Sequence, residues 1–579
     1  MEGVSDEEEK MIKKPLLGTS KGGFRTMPFI IANEAFEKVA SYGLMPNMIM
    51  YLMREYGLET ARGSNILFYW SAATNLMPVL GAFLADSFVG RFRMIGFGSI
   101  VSLLGMFLLW LTTMIPQVRP PPCNHYSSNC DSATLSQLIL LCSSLALMSI
   151  GAGGIRSSSM VFGADQLVAR GNMKNTGNLE SFFNWYYAAA SLSVVIAMTC
   201  IVYLQENMGW KVGFGVPVVL MFLSAVSFFL ASHFYVKLKA TTSFVTGFFQ
   251  VMLASYKNRD LSLPSQCMDV MYYHKKGSAL LVPSGKLRFL NKACVVRNAE
   301  VDLMTDGRAS DPWSLCTVDQ VEELKALIRV IPLWSTGIMM SVCMSQDSFR
   351  TLLTKPMDRH ITPDLEIPAG SFSVFMVISL TIWIALYDRM ILPLASKIMG
   401  KPARLNVKLR MGIGIFISGI SMAVSAIVES VRRKTAIREG FSDHPDAEID
   451  MSAMWLLPQL CLGGLAEAFN AVGQNEFYYS ELPKSMSSIA STLFGVGMSI
   501  GNLAASFIMS TVDDVTKRGG KESWVSSNIN KGHYDFYYWL LAALSLVNLM
   551  YFLVCSKAYG PCARDESGIL NKEDMMSNF

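Results

Sequence analysis

MPFIIANEAFEKVASYGLMPNMIMYLM, residues 27 to 53, decides how the chain is read. Apart from Glu34, Glu37 and Lys38, it has the length and apolarity of a helix that crosses a bilayer, which takes about 20 mostly apolar residues. A charge near the middle of such a helix costs about 2.5–3.5 kcal/mol on insertion scales, so it turns to the bundle interior and pairs there. Positions 34, 37 and 38 follow i, i+3, i+4 spacing, which puts all three on one helical face.

The remainder of the chain makes the crossing the correct reading. Its 579 residues are 51% hydrophobic and 16% charged, with a mean hydropathy of +0.34, whereas soluble domains carry about 25% charged residues. Twelve stretches are long and apolar enough to span: 27–53, 63–88, 92–115, 133–155, 182–205, 213–235, 324–347, 371–392, 407–429, 452–477, 486–511 and 535–556. Segments of this length cross as helices rather than barrel strands, and the fold is predicted to be an all-α membrane protein with twelve transmembrane helices.

The start, MEGVSDEEEK, has no basic region followed by an apolar core, so no cleavable signal peptide is expected and both termini are placed in the cytosol. Basic residues at 10–25, Arg91 and Arg93, Arg170 and Lys174, the segment 236–323, and Lys397 to Arg410 fall on alternate loops and agree with the positive-inside rule. Arg432, Arg433, Lys434 and Arg438 fall on the opposite side and disagree with it. A net charge of +4 without basic clustering excludes a nucleic-acid partner. Of eleven cysteines, Cys123 and Cys130 lie close together in an outer loop, QVRPPPCNHYSSNC, and stand either as a disulfide or as two free thiols. Six scattered histidines and the lack of HExxH or CxxC spacing argue against a metal site. No cofactor is expected beyond protons as coupling ion.

The long hydrophilic break divides the chain into a tail (1–26), a six-span half (27–235), a linker (236–323), a second six-span half (324–556) and a tail (557–579). Near its end, the linker reads as a helix capped at Thr317 or Asp319 that leads into the seventh span. Two linked six-helix halves resemble the major facilitator superfamily, whose halves rock around a central site. GAFLADSFVGRFR (81–93) and YDRMILPLASKIMGKPAR (387–404) occupy corresponding places in the halves. In the first, Gly81, Asp86, Gly90 and Arg91 form a candidate cytosolic gate motif, in which the aspartate would accept backbone hydrogen bonds and the arginine hold the cytosolic side.

Glu34 and Lys38 are spaced to pair, which leaves Glu37 in need of a cation. Arg156, in SIGAGGIRSSSMVFGADQL at the end of the fourth span, is the candidate, because the glycines there let helices approach closely. A buried carboxylate that loses its cation takes up a proton, so the set Glu34, Glu37, Lys38 and Arg156 reads as a proton-coupling site. Glu467, in GGLAEAFNAVGQ of the tenth span, is a further intramembrane acid.

These segments, with SFFNWYYAAASL and EAFNAVGQNEFYYSELPKSM, resemble the plant nitrate and peptide transporter family over nearly the whole chain, and within it the first subfamily, a branch of the proton-dependent oligopeptide transporters. The resemblance assigns Glu34, Glu37 and Lys38 to proton coupling, matches Arg156 to the family's basic residue of the fourth span, and matches Glu467 to the acid that helps hold a peptide amino group. Arginine is far harder to deprotonate than the usual lysine, so the proton belongs on a carboxylate. Where the family's best-known nitrate carrier has a seventh-span histidine, this chain has Met344, and a thioether supplies no positive charge. The resemblance implies proton-coupled symport of a small anion, low-affinity nitrate first, working as a monomer in the plasma membrane with the vacuolar membrane as the alternative. A carboxylated hormone such as gibberellin would use Arg156 with an apolar lining of Met344, Phe375 and Met376, and di- or tripeptides would use Glu467. A receptor without transport fits the same fold. An enzyme does not, since the glycines at 151–154 sit in an apolar span and are no dinucleotide fingerprint.

Overall fold

The computed structural model describes residues 22–121, 133–168, 176–237, 244–261, 271–274, 282–304, 307–363, 365–400 and 405–560. Cys123 and Cys130, the loop cations Arg170 and Lys174, and most of both tails lie outside the described residues. The first bundle comprises α1 (Met27–Glu55), α2 (Thr60–Leu84), α3 (Arg91–Met114), α4 (Leu135–Val168), α5 (Thr176–Ile196, continued to Asn207) and α6 (Gly209–Leu230). The linker contributes α7 (Phe244–Lys257). The second bundle comprises α8 (Val318–Met344), with its extension α9 (Asp347–Thr354), α10 (Val374–Leu386, continued to Met399), α11 (Val407–Arg438), α12 (Leu457–Glu481), α13 (Ser487–Thr516) and α14 (Tyr534–Tyr559). Twelve of these helices span in two groups of six, and the chain is a multi-pass membrane protein. Very short strands decorate the loops on the side away from the linker: β1 (Met357–Asp358) pairs in parallel with β4 (Ile449–Ser452), and β2 (His360–Thr362) pairs antiparallel with β3 (Leu365–Glu366).

Ten of the described helical segments are long and apolar enough to cross a membrane on composition alone; α1 and α12 are not among them. These two helices carry Glu34 and Glu37, which are buried, and Lys38 and Glu467, which are half-buried, so the departure from lipid-like composition falls where charge is drawn out of solvent.

Two helices outrun the hydropathy that marked them. α4 continues from 155 to Val168, so Arg156 lies about 18 Å inside the helix end (1.5 Å per residue) rather than at the close of a span. Hydropathy falls at Arg156-Ser-Ser-Ser because those side chains face protein: Ser158 and Ser159 are buried. α11 likewise runs past 429 to Arg438. There Arg432, 1% exposed, donates to both oxygens of Glu429 (2.7 and 2.8 Å), to Asn530 Oδ1 and to the Ile529 carbonyl. The cluster that violated the charge rule thus contains an internal ion pair, and Arg432 carries no topological signal.

At the start of α8, Thr317 forms a capping box: its hydroxyl accepts from the Gln320 N–H, and Gln320 Oε1 accepts from the Thr317 N–H. The repeat between halves reappears in backbone geometry. Both Ala85–Val89 and Tyr387–Ile391 are π-helical turns with an aspartate, Asp86 or Asp388, in second place.

The bundles meet on the side away from the linker. One apolar cluster joins Leu44, Met48 and Tyr51 of α1 to Phe349 and Leu352 of α9 and Tyr534 and Tyr537 of α14. Polar contacts reinforce it: Asn65 of α2 with Ser506 and Ser510 of α13 (2.5 and 2.9 Å), Thr60 N–H to Ser527 (3.0 Å), Lys517 with Glu59 (3.3 Å), and Arg359 with Glu206 (2.7 Å). That side is closed.

Candidate functional site

The charged face of α1 turns inward because α4 and α5 pack closely around it. Gly151 and Gly153 of α4 leave room for neighbours that a side chain would strike: a Cβ at Gly151 would come within 2.4 Å of Ser102 N in α3, and one at Gly153 within 2.5 Å of Met77 Cβ in α2. That seating brings Arg156 onto α1. Its guanidinium grips Glu37 with two hydrogen bonds, Nη2 to Oε1 at 3.0 Å and Nε to Oε2 at 3.2 Å. The fork matches a carboxylate in shape as well as in charge.

Glu37 is fully buried and also accepts from Ser41 Oγ at 2.6 Å, one turn on. Glu34 is buried too, with Lys38 Nζ 3.7 Å from Oε1. Its second oxygen, Oε2, accepts no hydrogen bond from the described residues, while Tyr186 of α5 faces the carboxylate. The ring of Tyr42 lies under both cations, 5.2 Å from the Arg156 carbon Cζ and 5.7 Å from Lys38 Nζ. Arg156 keeps 17% of its side chain accessible, so the pair is dry on the acid and wetted on the base.

In the gate motif, Gly90 sits at φ +83°, where only glycine is unstrained, and lets the chain reverse into α3. A Cβ at Gly81 would meet the Gly153 carbonyl at 2.6 Å. Asp86 accepts from the Arg91 side chain (Nε, 3.1 Å) where backbone amides were expected, because the π turn brings the carboxylate round to the guanidinium. Arg91 also binds Asp165 of α4 at 2.7 Å, a partner the sequence did not flag.

In the second bundle, Met344, Met340 and Met376 pack together beside Ala466. Met344 and Glu467 line a cavity of about 20 Å³ with Asn470, Gln474 and Met498, room for about one water. Phe375 is not part of it; it packs against Phe372 among the residues near β1 and β4. A helix turns 100° per residue, so neighbours 375 and 376 face different ways.

A second residue escaped the sequence reading. Arg350 of α9 is buried, donates to Asp347 Oδ1 (2.6 Å) and the Cys343 carbonyl (3.1 Å), and reaches Met376 Sδ at 3.7 Å. The signal that could have found it is Asp347-x-x-Arg350, an i, i+3 pair placed just past the apolar run. Among the described residues no hydrogen bond or ion pair links Arg156 to Glu467, so each bundle holds its own acid–base group.

Two six-helix bundles closed at one face, the first with a buried acid–base pair and the second with a buried arginine and a half-buried glutamate in its interior, are the construction of a secondary transporter of the major facilitator type. The chain belongs to the POT family: residues 92–525 match that family (PTR2). It is similar to Protein NRT1/PTR FAMILY 1.2 of Arabidopsis thaliana, 56% identical over 563 residues that cover 96% of this chain and 93% of that one. It is 55% identical over 569 residues to Protein NRT1/PTR FAMILY 1.1 of the same plant, covering 97% and 96%. These similarities put it with the first subfamily, among transporters and not enzymes. In fold it is similar to an auto-inhibited POT family peptide transporter (TM-score 0.67, 18% identity, 92% of this chain and 97% of that one) and to PepTSo (TM-score 0.65, 17% identity, 92% and 98%).

Proposed function

We propose that this protein is a proton-coupled symporter of a small anionic solute, with low-affinity nitrate as its first substrate, working by alternating access as a monomer in the plasma membrane. The observation that carries the reading is the buried, two-pronged Glu37–Arg156 pair joining two helices of one bundle. A proton that reaches Glu37, directly or by way of Glu34, whose Oε2 accepts no hydrogen bond from the described residues, removes the negative charge that holds Arg156. The arginine then has a free fork for an anion, and the proton and anion together favour the other bundle arrangement. Coupling arises because each ligand binds one arrangement better than the other. The linker side is taken as cytosolic, from the basic loops that lie there.

A second reading follows from the other bundle. Met340, Met344 and Met376 form a pliable apolar lining beside Arg350, which suits an organic carboxylate such as a gibberellin. Di- and tripeptides would place their amino group at Glu467.

The test is uptake and current in oocytes at about pH 5.5 and pH 7.5, with nitrate, gibberellin and a dipeptide offered in parallel to wild type and Glu37→Gln. Acid-stimulated uptake of one solute that the substitution abolishes supports the reading and names the class. Uptake indifferent to pH and to the substitution contradicts it.

A further inference from the structure

Two grooves occupy corresponding places in the two bundles. The first, about 450 Å³, lies between α3 and α6; the second, about 510 Å³, lies between α11 and α14. All four helices are long and apolar enough to span. The repeat extends to single residues: Gly96 and Gly412 are each the sixth residue of their helix, and a Cβ there would meet Phe229 at 3.0 Å in the first groove and Phe552 at 2.8 Å in the second. Ile100, Phe222, Val226 and Phe229 of the first groove are 38–55% exposed on spanning helices, an apolar surface that the bilayer covers rather than water.

The linker-side ends of the two grooves differ. At the first stand three bases. His233 closes the groove, and Arg93 shares the face of α3 that carries Gly96 and Ile100, at i, i+3, i+7 spacing. Lys237 lies over the ring of Phe92, the neighbour of Arg93, with Nζ 4.0 Å from the centroid, and donates to Ser232 Oγ at 3.1 Å. Among the described residues no carboxylate pairs with any of the three. At the second groove Lys408 is already engaged: its Nζ donates to the carbonyls of Ser556 (3.5 Å) and Gly560 and lies over the Tyr559 ring.

Length and charge indicate what fills the first groove. Leu103, in its wall, lies ten residues beyond Arg93, about 15 Å along the helix, which is the hydrocarbon depth of one leaflet. A basic pocket between spanning helices, on the side where the basic loops collect, suits the headgroup of an anionic lipid.

We propose that the α3–α6 groove holds an acyl chain of an anionic phospholipid from the linker-side leaflet, with the lipid phosphate at Arg93, Lys237 and His233. The α11–α14 groove, whose lysine is already bound by carbonyls, takes lipid without preference for charge. The inference does not depend on which solute is carried.

The test is native mass spectrometry of the full-length protein in mild detergent, offered phosphatidylinositol 4-phosphate and phosphatidylcholine in equal amounts. Wild type should retain one anionic lipid in preference to the neutral one. Arg93→Gln with Lys237→Gln should weaken that retention by about tenfold or more, and Lys408→Gln should leave it unchanged. Independently of any variant, phosphatidylinositol 4-phosphate with a diazirine in its acyl chain, mixed into liposomes of wild type, should label residues 100–103 of α3 or 222–229 of α6. No preference in wild type, an undiminished preference in the double variant, an equal loss in Lys408→Gln, or label confined to other helices would each overturn the proposal.

Discussion

Two buried glutamate–arginine pairs of the same chemistry are built differently in this molecule. Glu429–Arg432 joins two residues of one helix, with side chains 3 and 1% exposed, and its guanidinium is also bound by Asn530 and the Ile529 carbonyl. Glu37–Arg156 joins two helices, leaves the arginine 17% accessible, and gives that arginine no partner among the described residues except Glu37 and the face of Tyr42. The first pair cannot open without orphaning charges and a carbonyl; the second, in the proposed mechanism, would open with one proton and one side-chain movement. Burial of charge alone therefore does not mark a switch. A switch needs a cation whose only anchor is the acid and which retains a route to solvent.

The largest effect that tests this contrast is on stability. Removing one member of a fully buried pair costs about 3–5 kcal/mol, so Arg432→Ala should sharply lower the melting temperature and the monodisperse yield. Replacing both, Glu429→Leu with Arg432→Met, should recover much of that loss. Glu37→Gln should leave melting nearly as in wild type while removing acid-stimulated transport. Equal destabilisation by the two single substitutions would erase the distinction between a clamp and a switch.

Arg156→Lys should have a smaller, intermediate effect. The charge stays, the fork is lost, and uptake should persist with weakened dependence on external pH, read as the ratio of acid to neutral uptake. Smallest of all, Glu206→Gln loosens one exposed contact of the closed face, where such pairs are worth about 0–1 kcal/mol. It should shift the balance between bundle arrangements by at most about fivefold, read as labelling of a cysteine placed on that side of the cavity.

Much of this was legible in the sequence, and what escaped did so for physical reasons. The spacing of Glu34, Glu37 and Lys38 reveals one charged face because helical geometry is fixed, and Arg156 stands out as a cation beside glycines. Hydropathy, however, measures contact with lipid and not the length of a helix. It stops at Arg156 although α4 continues to Val168, and it stops before Arg350, which α9 buries. It also took Arg432 for a loop cation, because charge alone does not show whether a partner sits one turn away. Phe375 and Met376 are both expected in one apolar lining, whereas the helix turns them into different clusters.

The measurement that bears most directly on the central claim uses purified protein in liposomes and compares two modes of transport in wild type and Glu37→Gln, with whichever solute the oocyte screen identifies. Exchange of labelled for unlabelled solute at equal pH tests binding and bundle movement; accumulation driven by an imposed pH gradient tests coupling. If Glu37–Arg156 is the proton switch, Glu37→Gln retains exchange and loses gradient-driven accumulation. Gradient-driven accumulation that survives the substitution undiminished would contradict it.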